Sequence, residues 1–145
     1  MSIFNSLNVN ASGLTAQRLR MDIISQNIAN INTTRTENGQ PYQRKIAIFE
    51  EDKNQFHNIL NEKMNQDNGG GGVKISRIIE DSKPFKREYN PNHPDADEDG
   101  YVLMPNVELI EEMTNMISAN RSYEANVTAI NSNKGMAMKA LEIGK

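Results

Sequence analysis

The sequence contains no cysteine and no tryptophan, and aromatic residues make up only 6% of its 145 residues. Without cysteine the chain can form no disulfide, no thiol nucleophile and no cysteine-ligated metal site. Only 37% of the residues are hydrophobic, which is little material for one large globular core. This composition therefore favours an elongated or assembled protein.

Long apolar runs and clustered positive charge are also missing. Eighteen apolar residues never follow one another, and residues 1–9 have neither the basic nor the apolar segment of a cleaved signal peptide. We therefore expect neither a membrane span nor export by the Sec route. The net charge of −3, with basic and acidic residues interleaved, predicts no nucleic-acid partner.

Apolar residues recur at alternating steps of three and four over residues 106–143, which is the pattern of a coiled-coil seam. Pro105 and Asn106 mark the start of this helix, and Glu111 and Glu112 near its start complement the helix dipole. Such a helix is about 55 Å long, more than a compact domain of this size needs. Its seam residues are Leu109, Met113, Met116, Tyr123, Val127, Ile130 and Leu141.

The N-terminal segment supplies a matching seam and predicts a second helix of about 28 residues. Asparagine and threonine favour turns, so this helix is expected to end between Asn30 and Thr34. The fold predicted is mainly α, with the two terminal helices forming an antiparallel coiled-coil-like pair. The N-terminal seam residues are Phe4, Leu7, Ala11, Leu14, Met21 and Ile28.

Two interpretations of these seams stay open. In the simpler one, both serve an intramolecular helical hairpin with an ordinary core. In the other, the helices also pack against other copies of the chain. Apolar positions beside the seams, such as Ile24, Ile110 and Ile117, support the second interpretation because one partner helix cannot bury them all.

The middle of the chain changes character and predicts a small β-rich and irregular segment. Residues 42–49 and 73–79 alternate over part of their length and indicate two strands that pair with each other. The polar stretch 50–72, which ends in four glycines, predicts a mobile surface loop. The predicted organisation is a helical core from both ends and a middle segment, with boundaries at 1–34, 35–104 and 105–145.

Two features of the middle segment have residue types that could form a chemical site. The run from Asp95 to Gly100 has a carboxylate at every second position, like the opening of a calcium loop. The closing position should be glutamate but is Asn106, so a solvated acidic turn is the favoured interpretation. His57 and His93 have no ligand spacing around them and are expected at the surface. We predict no catalytic residue, no cofactor and no metal.

Three separated motifs resemble those of bacterial flagellar axial proteins, the rod, hook and hook-associated proteins. They lie at residues 11–33, 89–107 and 112–126, and the central one is similar to a segment typical of proximal rod proteins. Residues 69–72 and Gln43 depart from the pattern. The residues that carry the resemblance are Ser12, Gly13, Leu14, Asn27, Ala29, Asn30, Asn90, Pro91, His93, Pro94, Asp95, Gly100, Tyr101, Pro105, Asn106, Arg121, Tyr123, Glu124, Ala125 and Asn126.

This resemblance implies a non-enzymatic subunit that polymerises helically into the drive shaft and export channel of the basal body. The implied partners are copies of itself, other rod proteins, and the base of the rod at the MS ring and export gate. The implied route to the rod in the cell envelope is the flagellar type III export apparatus, without a cleaved signal peptide. The seams alone would fit a soluble coiled-coil adaptor or scaffold protein equally well.

Overall fold

The computed structural model describes residues 3–52 and 71–143. The architecture is mainly α: the two long terminal helices pack together, and two small antiparallel two-stranded sheets lie between them in sequence. This confirms the predicted fold class. In chain order the elements are α1 (Ile3–Ala29), β1 (Lys45–Asp52), β2 (Gly72–Glu80), β3 (Lys86–Tyr89), β4 (Tyr101–Met104) and α2 (Leu109–Ile143).

Both helices have nearly the predicted bounds. Helix α1 ends at Ala29, and Asn30 begins a turn in which its side chain donates a hydrogen bond to the Gln26 carbonyl at 2.9 Å. Helix α2 begins at Leu109, three residues after the cap expected at Asn106. The cap prediction was wrong because the Asn106 side chain bonds to other segments instead of to the first turn of the helix.

The first sheet pairs β1 with β2, as the alternating pattern predicted. Strand β1 ends at Asp52 and β2 begins at Gly72, so both strands extend into the range 50–72 that was predicted as a loop. The predicted mobility of that loop and the position of His57 concern residues 53–70, which lie outside the described residues.

A second sheet, formed by β3 and β4, was not predicted. Lys86 is paired with Met104 and Tyr89 with Tyr101 in an antiparallel register. Four residues per strand are too few for an alternating pattern to be recognised, and the sequence Lys86–Tyr89 contains three charged residues.

The chain forms two compact units, each assembled from separate stretches of sequence. The first contains Met1–Leu19, Phe49–Ser76 and Ala119–Lys145, and the second contains Arg20–Ile48 and Arg77–Ser118. Both helices therefore contribute residues to each unit. The division of the chain at residues 34 and 104 stays a prediction.

In the first unit, small residues allow α1 and α2 to approach closely. A Cβ added to Gly13 would lie 2.9 Å from Nδ2 of Asn126, and both Ala16 and Ala119 are buried. The Asn133 amide donates a hydrogen bond to the Ser6 hydroxyl at 3.0 Å. Because these contacts pair the start of one helix with the end of the other, the helices run antiparallel.

The Ser12 hydroxyl connects sheet β1–β2 to helix α1. Ser12 Oγ accepts a hydrogen bond from the Val73 backbone at 3.0 Å and donates one to the Val9 carbonyl at 2.7 Å. A Cβ at Gly72 would lie 2.5 Å from the same oxygen, so the close approach of strand and helix depends on glycine there.

Candidate functional site

The second unit has a core that contains several polar side chains. Asn27, Asp81, Asn106 and Glu112 are all buried there, and Glu112 is only 1% exposed. We call these four residues, together with Tyr42 and Arg44, the polar cluster. Buried polar groups destabilise a fold unless they are hydrogen-bonded, so the partners of each member decide what the cluster does.

Asn27 in α1 is the centre of the polar cluster. Its Nδ2 donates to the Lys45 carbonyl at 2.9 Å and to Glu112 Oε2 at 3.0 Å. Its Oδ1 accepts from the Lys45 N–H and from the Tyr42 hydroxyl, both at 2.9 Å. One carboxamide therefore holds together α1, the start of β1 and the first turn of α2.

Arg44 supplies the positive charge of the cluster. Its Nε and Nη2 both donate to Glu112 Oε1, at 2.9 and 2.7 Å, and its Nη1 donates to Asp81 Oδ2 at 3.2 Å. Glu111 Oε1 lies 3.0 Å from Nη2. Burial lowers the pKa of Arg44, but the hydrogen bonds and charges of these acids outweigh it, so the pKa is raised above its ordinary value.

Asn106 and Asp81 connect the segment before α2 to the end of β2. Asn106 Oδ1 accepts from the Arg44 N–H at 2.7 Å, and its Nδ2 donates to the carbonyls of Asp81 and Lys83 at 3.1 and 3.0 Å. Gln43, which departs from the family pattern, also donates to the Asp81 carbonyl, at 2.7 Å.

Two further groups of the cluster have shifted pKa values. Burial raises the pKa of Asp81, but hydrogen bonds from the Lys83 N–H and Arg44 outweigh it and hold the pKa below 3.8. Asp81 therefore stabilises the fold at pH values above 3.8, and this stabilisation is lost as the pH falls through the lower pKa that Asp81 has in the folded chain. Burial, followed by the charges of Glu112 and Glu80, raises the pKa of Tyr42 above 10.0, so its hydroxyl remains a donor at neutral pH.

The acidic turn that resembled a calcium loop is fixed by hydrogen bonds within the protein. Asp95 Oδ2 accepts from the Thr34 hydroxyl at 2.9 Å, and the Asp95 N–H donates to His93 Nδ1 at 3.1 Å. The Gly100 N–H donates to the Asp97 carbonyl at 2.8 Å. In residues 3–52 and 71–143, no group of three or more metal-ligating side chains is placed to hold an ion.

The turn closes at Gly100, which has a positive φ of 79° and whose Cβ, if present, would lie 3.0 Å from the Tyr89 ring. Gly39 has a similar φ of 74° but nothing within 4 Å of that position. We expect Gly39→Ala to cost about 1 kcal/mol from backbone conformation alone. Gly100→Ala should cost about 1 to 3 kcal/mol more, because Tyr89 must also move.

Thermal unfolding of both variants, followed by circular dichroism, measures the difference. Both glycines have a positive φ, so the loss of stability in Gly39→Ala gives the cost of the backbone conformation. Subtracting it from the loss in Gly100→Ala leaves the cost of moving Tyr89. Equal losses of stability in the two variants would show that Tyr89 does not pack tightly against the turn.

The seam residues predicted from the sequence fall into two groups. Those in contact with the rest of the chain are half-buried: Leu7, Leu14, Met21, Ile28, Met116, Tyr123, Val127 and Ile130. The others are exposed: Phe4, Ala11, Leu109, Met113 and Leu141. The buried positions of α2 include Glu112, which lies one residue before Met113 of the predicted seam, and Ala119, which lies between Met116 and Tyr123. The assembly role of the seam stays a prediction.

The residues that carry the family resemblance are also distributed between core and surface. Gly13, Asn27, Gly100, Pro105 and Asn106 are buried. Ser12, Leu14, Asn30, His93, Asp95, Tyr123 and Asn126 are half-buried. Ala29, Asn90, Pro91, Pro94, Tyr101, Arg121, Glu124 and Ala125 are exposed.

Sequence reasoning did not identify the polar cluster as a unit. Asn27, Asn106 and Glu112 were noticed as motif or helix-end residues, whereas Arg44 and Asp81 were not singled out. One signal was available: Arg44 lies in an alternating β pattern, two residues before the apolar run that begins at Ile46, and a charged residue that faces inward there requires a partner.

Comparisons with known proteins agree with the fold. A family model described as flagella basal body rod protein matches residues 7–35, and one described as flagellar basal body rod FlgEFG protein C-terminal matches residues 98–143. The chain is 53% identical to the flagellar basal-body rod protein FlgC of Bacillus subtilis over the full length of both. It is 49% identical to FlgC of Borreliella burgdorferi, covering 99% of this chain and 98% of that protein.

A more distant relative, FlgC of Salmonella typhimurium, is 37% identical over the full length of both chains. Among the described residues, neither helix is apolar enough over a sufficient length to cross a membrane. The relatives share this chain's whole length, and both terminal segments match rod-protein models. The chain therefore belongs to the FlgC family of flagellar basal-body rod proteins, which are structural proteins of bacterial motility and not enzymes.

Proposed function

We propose that this chain polymerises helically with copies of itself in the proximal rod, and that exposed apolar faces of its terminal helices form the contacts. The observation that carries this proposal is an apolar patch at the start of α2. Ile110 is 76% exposed and Ile117 is 54% exposed, although both are large aliphatic residues. Leu109 and Met113 complete this surface, which we call the α2 patch.

The positions of these residues make the α2 patch one continuous surface. Residues three, four and seven apart lie on the same side of a helix, so Ile110, Met113 and Ile117 adjoin one another. The opposite side of the same turns carries Glu112 and belongs to the core. Contiguous exposed apolar surface of this kind marks an interaction site, because burial contributes about 25 cal/mol per Å².

The first unit has exposed apolar residues of its own. Phe4 near the start of α1 and Met136, Met138 and Leu141 near the end of α2 are all more than half exposed. They lie in the segments where the sequence predicted contacts with other copies. We infer that residues 1–34 and 105–145 act together as the helical core through which subunits stack.

The resemblance supports finer proposals about partners and route. Other rod proteins and the base of the rod at the MS ring and export gate are the proposed neighbours. The proposed route is the flagellar type III export apparatus, which would recognise the chain without a cleaved signal peptide. Absence of cysteine is compatible with assembly outside the cytoplasm, since no thiol is available for unwanted oxidation.

Replacing Ile117 with Asp tests the α2 patch. Because Ile117 is exposed in the free chain, Ile117→Asp should change the stability of the chain by no more than about 0.5 kcal/mol. In the assembled rod the same carboxylate would be buried without a partner, so swimming and recovery of the chain with purified hook-basal bodies should be lost.

Thr128→Asp is the matched control because Thr128 is also exposed on α2 but lies outside the α2 patch. Its introduced charge should leave motility unchanged. Normal swimming of the Ile117→Asp strain would contradict an interface at the α2 patch. A wild-type chain found only in the cytoplasm, and never with basal bodies, would favour the adaptor alternative.

A further inference from the structure

The hairpin formed by β3 and β4 exposes a compact face of mixed chemistry. Paired residues of antiparallel strands lie on the same side of a sheet, and so do residues two apart along a strand. The pairs Arg87–Leu103 and Tyr89–Tyr101 therefore share one side. All four side chains are exposed, with Tyr89 at 65%. We call this surface the hairpin face.

Three of the four side chains of the hairpin face contact one another. The rings of Tyr89 and Tyr101 meet edge to face with centroids 5.3 Å apart. The Arg87 guanidinium lies 5.2 Å from the centroid of the Tyr101 ring. Gly100 leaves the space that Tyr89 occupies. Contacts of this kind restrict the rotamers of the three side chains, which lowers the side-chain entropy lost when the surface binds a partner.

The composition of the hairpin face is that of a binding surface for a negatively charged segment. Tyrosine and arginine are the residues most often responsible for affinity at protein interfaces. Within the described residues, Arg87 has no acidic partner, and its contact with Tyr101 leaves the guanidinium able to bind a carboxylate. The opposite side of the hairpin carries the buried Val102 and belongs to the core.

The same unit presents a complementary surface at the tip of the acidic turn. Asp97, Glu98 and Asp99 are exposed, and in the described part of the chain their carboxylates bind no cation. The turn is fixed by Asp95, which accepts from Thr34, and by the Asp97 N–H, which donates to the Tyr101 carbonyl at 2.8 Å. The three carboxylates are therefore accessible to a partner on a turn of fixed backbone.

We propose that the hairpin face of one copy binds the acidic turn, residues 97–99, of a second copy. Arg87 pairs with the carboxylates, and Tyr89, Tyr101 and Leu103 cover the backbone of the turn. The two surfaces differ, so the contact joins unlike patches and can repeat from copy to copy, as a helical polymer requires. This inference rests on the proposed function and adds to it a contact away from the helices.

Absence of cysteine from the chain permits a direct test by crosslinking. Full-length Leu103→Cys and Glu98→Cys chains, one carrying an affinity tag, are mixed at high concentration and treated with a short bismaleimide. A crosslinked heterodimer should form. Mixing Leu103→Cys with Glu37→Cys is the control, because Glu37 is also an exposed acidic residue of the same unit but lies outside the turn.

Charge reversal shows whether the crosslink depends on the proposed pairing. Adding Arg87→Glu to the Leu103→Cys chain should lower the heterodimer yield about fivefold or more, since attraction becomes repulsion. Adding Arg77→Glu, an equal charge change at an exposed position of β2, should not lower it. A yield no higher than that of the Glu37 control, or one insensitive to Arg87→Glu, overturns the inference.

The same crosslinks in basal bodies isolated from cells that coexpress the two variants separate this inference from the proposed function. Basal bodies that contain the chain but no crosslink between residues 98 and 103 overturn the contact and leave the rod function standing. A crosslink from Leu103→Cys to a different protein would show that the occupant is not a second copy. Absence of the chain from basal bodies would overturn the rod function. The crosslink yield of the purified chains would then show by itself whether the hairpin face binds the acidic turn.

Discussion

Replacing Arg44 with Ala is expected to destabilise the chain by about 3 to 5 kcal/mol, because it leaves Glu112 as a buried charge without its cation. Glu112 is 1% exposed, and the Arg44 side chain that neutralises it is 12% exposed. The same substitution removes the hydrogen bond to Asp81 and leaves three acids in one small region. Urea unfolding followed by helical circular dichroism measures the loss.

Arg77→Ala is the matched control, since Arg77 is exposed on β2 and should change the stability by less than about 0.5 kcal/mol. Glu112→Gln provides a graded comparison. Glutamine can still accept from Asn27, and Arg44 keeps Asp81 and Glu111, so this variant should lose less stability than Arg44→Ala. A loss of stability in Arg44→Ala no larger than that in Arg77→Ala would show that Arg44 does not stabilise the buried carboxylate of Glu112.

The parts of the fold that were predictable are those in which a periodic pattern extends over several turns. Both helices show a repeat of three and four over more than twenty residues, and their observed bounds differ from the predicted ones by only a few residues. Strands β1 and β2 alternate long enough to be recognised. Hairpin β3–β4 has only four residues in each strand, and charge obscured its pattern.

The polar cluster was beyond prediction for a different reason. Its members come from five places in the sequence, and no spacing rule connects them: residues 27, 42 and 44, 81, 106 and 112. Glu112 was interpreted as a charge that complements the helix dipole, a role available to any acid in a first turn. Only the folded chain shows that it faces inward to meet Arg44 and Asn27.

The seams illustrate how a sequence pattern can differ from the side of a helix that is buried within the chain. A stripe of large apolar residues suggested that Met113 and Leu109 face the partner helix, yet both are exposed. The side of α2 that packs within the chain carries Ala119, Asn126 and Asn133 beside the half-buried residues of the seam. Small and polar residues allow the close approach of two helices, and Leu109 and Met113 stay exposed at the surface of the chain.

Asn27→Asp is expected to have an effect as large as that of Arg44→Ala, although the two side chains are nearly the same size. Asn27 Nδ2 donates to Glu112 and to the Lys45 carbonyl, and an aspartate has no hydrogen to donate to either. Two carboxylates would then face each other at a hydrogen-bond distance in a buried site. Leaving buried acceptors unpaired costs about 1 to 3 kcal/mol each, and the like-charge contact adds to this.

The pH dependence of this variant separates charge repulsion from a simple loss of packing. The introduced carboxyl group would have a pKa raised in the folded chain by burial and by Glu112, so folding takes up a proton. A raised pKa gives stabilisation that is present below the unfolded value of about 4 and is lost as the pH rises through the folded value. The stability difference between wild type and Asn27→Asp should therefore be smallest near pH 4 and should increase toward pH 7.

Asn27→Ala, which introduces no charge, should show a difference that varies much less over that range. If the two variants lost stability in parallel at every pH, the hydrogen bonds of Asn27 alone would explain its effect, and the proximity of Glu112 to position 27 would contribute nothing.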